Sequence, residues 1–178
     1  MPKASKQPSL KPQDVVLVLK LAVRKDQRFT YSTLGAELSI SASETHSGLG
    51  RLYQSRLLSS PEGHGSAVIR SALLEFVIHG VKYCFPASTG PMTRGTPTSY
   101  AGPALRSEMS VADDAIPVWP HETGASRGVA LYPLYPSVPK AAERDPDLYV
   151  VLTLVDAIRS GAARERELAA SLLTRALA

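Results

Sequence analysis

Asp113, Asp114, His121 and Glu122 are the closest this sequence comes to an acid/base set, because carboxylates beside an imidazole are the groups that move protons near neutral pH. No nucleophile motif and no glycine-rich phosphate loop accompanies them, so the chain is expected not to be an enzyme. His64, His79 and His121 have no carboxylate or cysteine at ligand spacing, which argues against a metal site. The single cysteine, Cys84, excludes an intramolecular disulfide and a cysteine-based zinc cluster; in an apolar setting beside Lys82 it reads as a buried structural thiol rather than a redox sensor. What remains is a run of short polar side chains at Ser41, Ser43, Glu44, His46, Ser47 and Arg51. Such groups recognise the polar edges of a partner rather than make or break bonds, and they require no cofactor.

The elements that must position this run follow from periodicity. Val15, Val16, Leu19, Ala22 and Val23 fall at helical spacing within 12–24, with Pro12 suited to the first turn. Thr30 is an N-cap for a second helix through Leu34 and Leu38, and Ser39-Ile40 is a tight connector. Ser41 caps a third helix, with Glu44 at the capping-box position and fraying expected near Ser55. Leu34 and Leu38 must pack on Thr45, Leu49 and Leu52 of that helix, which leaves Ala42, Ser43, Glu44, His46, Ser47, Gly50 and Arg51 facing outward.

The segment Phe29 to Leu58, FTYSTLGAELSISASETHSGLGRLYQSRLL, resembles the helix-turn-helix of winged-helix transcriptional regulators, of the broad kind found in MarR-like and related bacterial proteins. The resemblance covers roughly a sixth of the chain. It implies binding to double-stranded DNA, with the outward face of the third helix in the major groove: Ser43, His46 and Ser47, with Glu44 on the same face, near base edges, and Arg51, Thr30, Tyr31 and Ser41 on the phosphate backbone. The departure from the pattern is that Gly48 and Gly50 interrupt the recognition helix and no basic residue stands in its first two turns, which puts direct base readout in question. A homodimeric regulator, a repressor, is the function implied; the alternative is a protein-interaction subunit, antitoxin-like, whose helical unit and Trp119 region bind a partner protein.

Beyond this unit, Ser59 to Ser66 reads as a turn, and Val68, Ile69, Ala72, Leu73, Phe76 and Val77 form the stripe of a fourth helix that Gly80 stops. Val81 to Phe85 alternates with period two and is expected to be a strand, paired with Gly128 to Leu134 as a modified wing. Lys82, Arg94 and Arg127 then supply positive charge either to a DNA groove or simply to solvent. Trp119 either anchors the intervening loop on the core or enters a partner, the first being the default. Asp145 before Pro146 starts a helix through Leu148, Val151, Leu152, Val155 and Ile158; Gly161 ends it, and Ala162 to Leu177 makes another. That stripe serves either as a dimer interface or as intramolecular packing.

The resulting fold class is mainly α: a winged helix-turn-helix with a short β-hairpin and a C-terminal helical hairpin. Residues 1–9 are a flexible basic arm with Lys3 and Lys6, 10–86 the winged DNA-binding domain, 87–127 a long Pro/Gly-rich loop, and 128–178 the second wing strand with the C-terminal, dimerising helices. A net charge of +4 permits a polyanionic partner without demanding one. No stretch approaches the about 18 consecutive apolar residues of a membrane helix, and with one cysteine the expected location is the cytoplasm.

Overall fold

The structure, a computed structural model, describes residues 9–24, 28–61, 67–108 and 115–178; the arm at 1–8 lies outside them. Pro12 occupies the first turn of α1 (Pro12–Val23), where its missing N–H has no intrahelical partner to lose. The apolar run behind it is buried on almost every side, from Val15 through Leu19 and again at Leu21 and Ala22. α2 (Tyr31–Leu38) and α3 (Ala42–Gln54) form where the spacing places them. The Thr30 hydroxyl caps α2 by accepting from the Thr33 amide at 3.1 Å, and the Ser41 hydroxyl caps α3 by accepting from the Glu44 amide at 3.2 Å. Between them Ser39 takes φ 55°, a left-handed turn that brings Leu34 and Leu38 into one buried cluster with Leu49 and Leu52.

After α3 the chain doubles back. Ser59 N donates to the Ala67 carbonyl and Ile69 N to the Leu57 carbonyl, each at 2.9 Å, with Leu58 and Val68 opposed in an antiparallel bridge. Residues 62–66, with His64, lie outside the described residues.

The next stretch corrects the sequence reading. Gly80 does not stop the fourth helix: α4 (Arg70–Glu75) continues through a π-helical turn at Phe76–Gly80 into α5 (Val81–Cys84). The expected strand at 81–85 is therefore helical. A five-residue alternation also sets Val81 and Phe85 at i and i+4, and the packing of α5 on the C-terminal helix at 146–160, with Val81 fully buried, favours the helix. Cys84 consequently faces solvent rather than the core.

Nor is 87–127 a loop. It holds β1 (Thr89–Pro97), a 3-10 turn at Ser99–Ala101, α6 (Pro103–Arg106), β2 (Pro117–Pro120) and the start of β3 (Ser126–Leu131), while 109–114, with Asp113 and Asp114, fall outside the described residues. The partner of β3 is β1, not 81–85: the two are antiparallel, with Met92 opposite Val129 and Arg94 opposite Arg127. β2 pairs antiparallel with β1 and parallel with β3, so the strands close on one another. Gly95 permits that closure, because a Cβ there would collide with the Trp119 carbonyl oxygen.

α7 (Val138–Arg144), α8 (Pro146–Ser160) and α9 (Ala163–Ala176) complete the chain. The Asp145 carboxylate caps α8, accepting from the Leu148 amide at 3.0 Å, and Gly161 ends it, as the sequence indicates. α8 is the axis of the molecule. Every residue from Val151 to Ile158 is buried, with α1, α5, α6, α7, α9 and the 3-10 turn packed around it. The stripe Leu148, Val151, Leu152, Val155 and Ile158 is thus interior to its own chain, and none of it remains on the surface to meet a second copy. One cluster of buried residues runs from Val15 to Leu177, so the N-terminal helices and the C-terminal pair share a core.

Trp119, 1% exposed, fastens the strands to this axis. Its indole N–H donates to the buried carboxylate of Asp156 at 2.5 Å, which also accepts from the Thr98 hydroxyl at 2.9 Å and from Arg159 at 2.6 Å. Arg159 continues to the Phe85 carbonyl at 2.8 Å. The fold is mainly helical with a small sheet, and no helix among the described residues is long and apolar enough to cross a membrane.

Candidate nucleic-acid interface

The orientation of α3 is set from behind. At Gly48 a Cβ would stand 2.9 Å from Asp14 Oδ1 and 3.0 Å from Leu17 Cδ2, so the glycine that interrupts the helix in sequence is what lets α1 approach it. The space admits the Asp14 carboxylate beneath α3. Arg51 grips it there with two parallel bonds, Nε to Oδ2 and Nη2 to Oδ1, each 2.7 Å, while the Lys11 backbone N–H donates to Oδ2 at 2.8 Å. Glu44 closes the network, accepting from Arg51 Nη2 at 2.6 Å, Lys11 Nζ at 3.0 Å and Gln13 Nε2 at 3.1 Å. The bonds to Asp14 push the Arg51 pKa up against the opposing effect of burial. The Lys11 bond, working against partial burial and helped by Arg51, holds the Glu44 carboxyl below its ordinary value.

This geometry corrects two of the expected contacts. Arg51 does not face outward toward phosphate, because its guanidinium is occupied by Asp14 and Glu44 and its side chain is only 16% exposed. Glu44 contributes its amide to the Ser41 cap, but its carboxylate turns to Lys11, Gln13 and Arg51 instead of closing a capping box. A helical wheel puts position 51 on the boundary between faces. The decision lies with Asp14, thirty-seven positions earlier, which no local pattern announces.

What α3 does present is Ser43, His46 and Ser47, all exposed and sharing one stripe at spacings of three and four. The His46 ring stands edge-on to Tyr31 with centroids 5.0 Å apart, so the first turn of α2 and the second of α3 form one surface. The stripe ends at Gly50, where an added Cβ would meet nothing within 4 Å and the helix backbone is open to approach. Thr30 and Ser41 lie at the edges of this surface as caps, Thr30 being tied to Thr33.

Arg56, which the sequence reading passed over, stands just past the end of α3, exposed and in the left-handed conformation at φ 61°. Its place after the helix end was legible, whereas its backbone geometry was not. It borders a hollow of about 520 Å³ with Leu57, Glu75 and, on the π-helical turn, Phe76 and His79. Lys82 and Arg94 are not on a hairpin beside α3. Lys82 lies on α5 with its ammonium 4.9 Å from the Tyr83 ring centroid, and Arg94 lies on β1.

Of the residues weighed for catalysis, His121 pairs with Glu143 at 3.1 Å and Glu122 is exposed. Among the described residues no three His, Cys, Asp or Glu side chains converge as metal ligands. No protein-family model, no curated protein and no solved structure matches the chain.

Proposed function

We propose that the chain is a DNA-binding transcriptional regulator of the winged-helix kind. In this reading α3 lies in the major groove of double-stranded DNA with Ser43, His46 and Ser47 toward base edges, Tyr31 supports His46, and the bridged segments Leu57–Ser59 and Ala67–Ile69 take the wing position directly after the recognition helix. The observation that carries the reading is the exposed hydrogen-bonding stripe of α3 on a helix clamped from behind by Arg51 and Asp14. A base-reading helix must be rigid to within a fraction of an ångström, and this one is held by charge-assisted bonds rather than by apolar contact alone. Arg56, at the helix end, supplies a backbone contact. Bound as a homodimer over a promoter, such a protein represses by occlusion.

The test is fluorescence anisotropy with a labelled duplex from the upstream region of its own gene and a scrambled duplex, over a range of salt. The native duplex binds more tightly, the affinity falls steeply with salt, and His46→Ala with Ser43→Ala weakens binding about tenfold or more while leaving the scrambled duplex unaffected. Arg56→Gln lowers the salt slope by about one. Equal affinity for both duplexes sinks the sequence-specific reading.

One observation favours a second reading, a protein-interaction subunit: the outward stripe of α3 carries no formal charge once Arg51 is drawn inward. A hydroxyl and imidazole surface of that kind also suits a neutral protein partner. Absence of binding to either duplex at low salt selects it.

A further inference from the structure

On the outer face of the strands, Arg94 of β1 and Arg127 of β3 are direct partners across an antiparallel ladder, and both are exposed. Residues so opposed point to the same face, so the two arginine side chains leave the ladder from adjacent positions on one side. Among the described residues no carboxylate pairs with either, and the one hydrogen bond from either guanidinium is a long one, from Arg94 Nη1 to the Gly124 carbonyl at 3.4 Å. They border a hollow of about 370 Å³, lined also by Met92, Thr93, Ala125 and Ser126, which contains no acidic side chain. The scaffold beneath is fixed: the Arg94 carbonyl accepts from the His121 amide at 3.1 Å, and the Gly124 amide bonds back to the His121 carbonyl at 3.1 Å. Like charges placed directly opposite one another across a ladder are unfavourable unless an anion lies between them.

We propose that Arg94 and Arg127 together bind a phosphate group. Each guanidinium offers a fork of parallel N–H donors, and one fork already saturates a planar carboxylate; two forks side by side suit a tetrahedral oxyanion, whose additional oxygens the second can reach. The hollow is larger than a phosphate ion and is bordered by the exposed Met92, so it has room for a phosphate carried on a larger body. A phosphomonoester such as a nucleotide and the phosphodiester of a nucleic-acid strand share this chemistry. The site is independent of the reading of α3.

The experiment uses the full chain and three probes: inorganic phosphate, AMP and a short DNA duplex. Inorganic phosphate at about ten times its Kd raises Tm by about 3 °C, and this protection is lost in Arg94→Gln, in Arg127→Gln and in the double variant alike, because neither fork holds the ion alone. Both residues are exposed, so Trp119 emission reports that the variants remain folded. If AMP protects the wild type at concentrations at least tenfold lower than phosphate, and the double variant abolishes this, the source is a small phosphomonoester. If AMP is no better than phosphate, and the double variant lowers the salt slope of duplex binding by about one or two, the source is the nucleic-acid backbone. Undiminished phosphate protection in the double variant, or none in the wild type, overturns the proposal. His46→Ala leaves phosphate protection intact, which separates failure of this site from failure of the α3 surface.

Discussion

The Arg51 guanidinium of α3 and the Asp14 carboxylate of α1 meet in a two-bond fork at 2.7 Å, with Asp14 1% exposed. Removing the arginine leaves a buried carboxylate with one backbone donor. Arg51→Ala is expected to destabilise the protein by about 3 kcal/mol, Arg51→Lys to recover little because an ammonium cannot form the fork, and Asp14→Ala with Arg51→Ala to cost less than the sum of the single changes. Urea denaturation of the wild type, the three single variants and the double variant measures this. Additive losses refute the coupling. Arg51 is therefore a poor probe of DNA contact, since its loss acts through the placement of the whole helix.

The two glycines of α3 separate in sign. Gly50→Ala meets open space and gains helix propensity, raising stability by up to about 1 kcal/mol. Gly48→Ala drives a methyl against Asp14 Oδ1, which Arg51 holds in place, and lowers stability by about 1–3 kcal/mol. Thermal melts of the two variants decide; a stabilised Gly48→Ala contradicts the close approach of α1.

Because Trp119 lies on β2 and its indole bonds to Asp156 of α8, the strands and the helices are expected to unfold together. The intrinsic fluorescence of this sole tryptophan and the helical circular dichroism should trace one coincident transition. Asp156→Leu, which removes the acceptor for Trp119, Thr98 and Arg159, shifts both by the same amount. Two separated transitions would show that the strands form their own unit.

Lys20 bridges Asp145 at 2.6 Å and Glu37 at 2.9 Å, and Arg24 also binds Glu37. Burial opposes ionisation of both carboxyls, yet the bonds from Arg24 and Lys20 to Glu37, and from Lys20 and the Leu148 amide to Asp145, bring each below its ordinary value. Burial likewise opposes the Lys20 charge, and its two carboxylate partners carry the pKa above normal. Depressed carboxyls contribute stability above their unfolded pKa of about 4, lost as pH falls through the folded values; the raised lysine contributes below about 10.4, lost as pH rises through its folded value. The urea midpoint should hold between about pH 6 and 9 and fall on both sides, with a shallower acid limb in Lys20→Met. An unchanged acid limb in that variant removes the cluster from the account.

Cys84 is exposed at the end of α5, so one thiol per chain should react with a disulfide reagent in the native protein as readily as after unfolding, within about tenfold. Reaction only on unfolding would return Cys84 to the interior.

The sequence by itself determined the local elements whose signals are carried by neighbours: Pro12 opening α1, Thr30 and Ser41 as caps, the tight Ser39-Ile40 connector between α2 and α3, and Asp145-Pro146 and Gly161 bounding α8. Caps and helical stripes are short-range, so a window of residues contains their cause. Tertiary structure decided what depends on partners far along the chain. Whether 81–85 was strand or helix rested on the packing of α5 against α8, with Val81 buried. The Pro/Gly-rich strands β1 and β2 lack a periodic stripe because their order comes from closing on one another around Gly95. Arg51 was turned inward by Asp14, and the α8 stripe was enclosed because helices on both sides of the chain needed the same apolar axis. Burial belongs to the whole assembly of elements, and a face that is apolar in sequence states only that something must cover it.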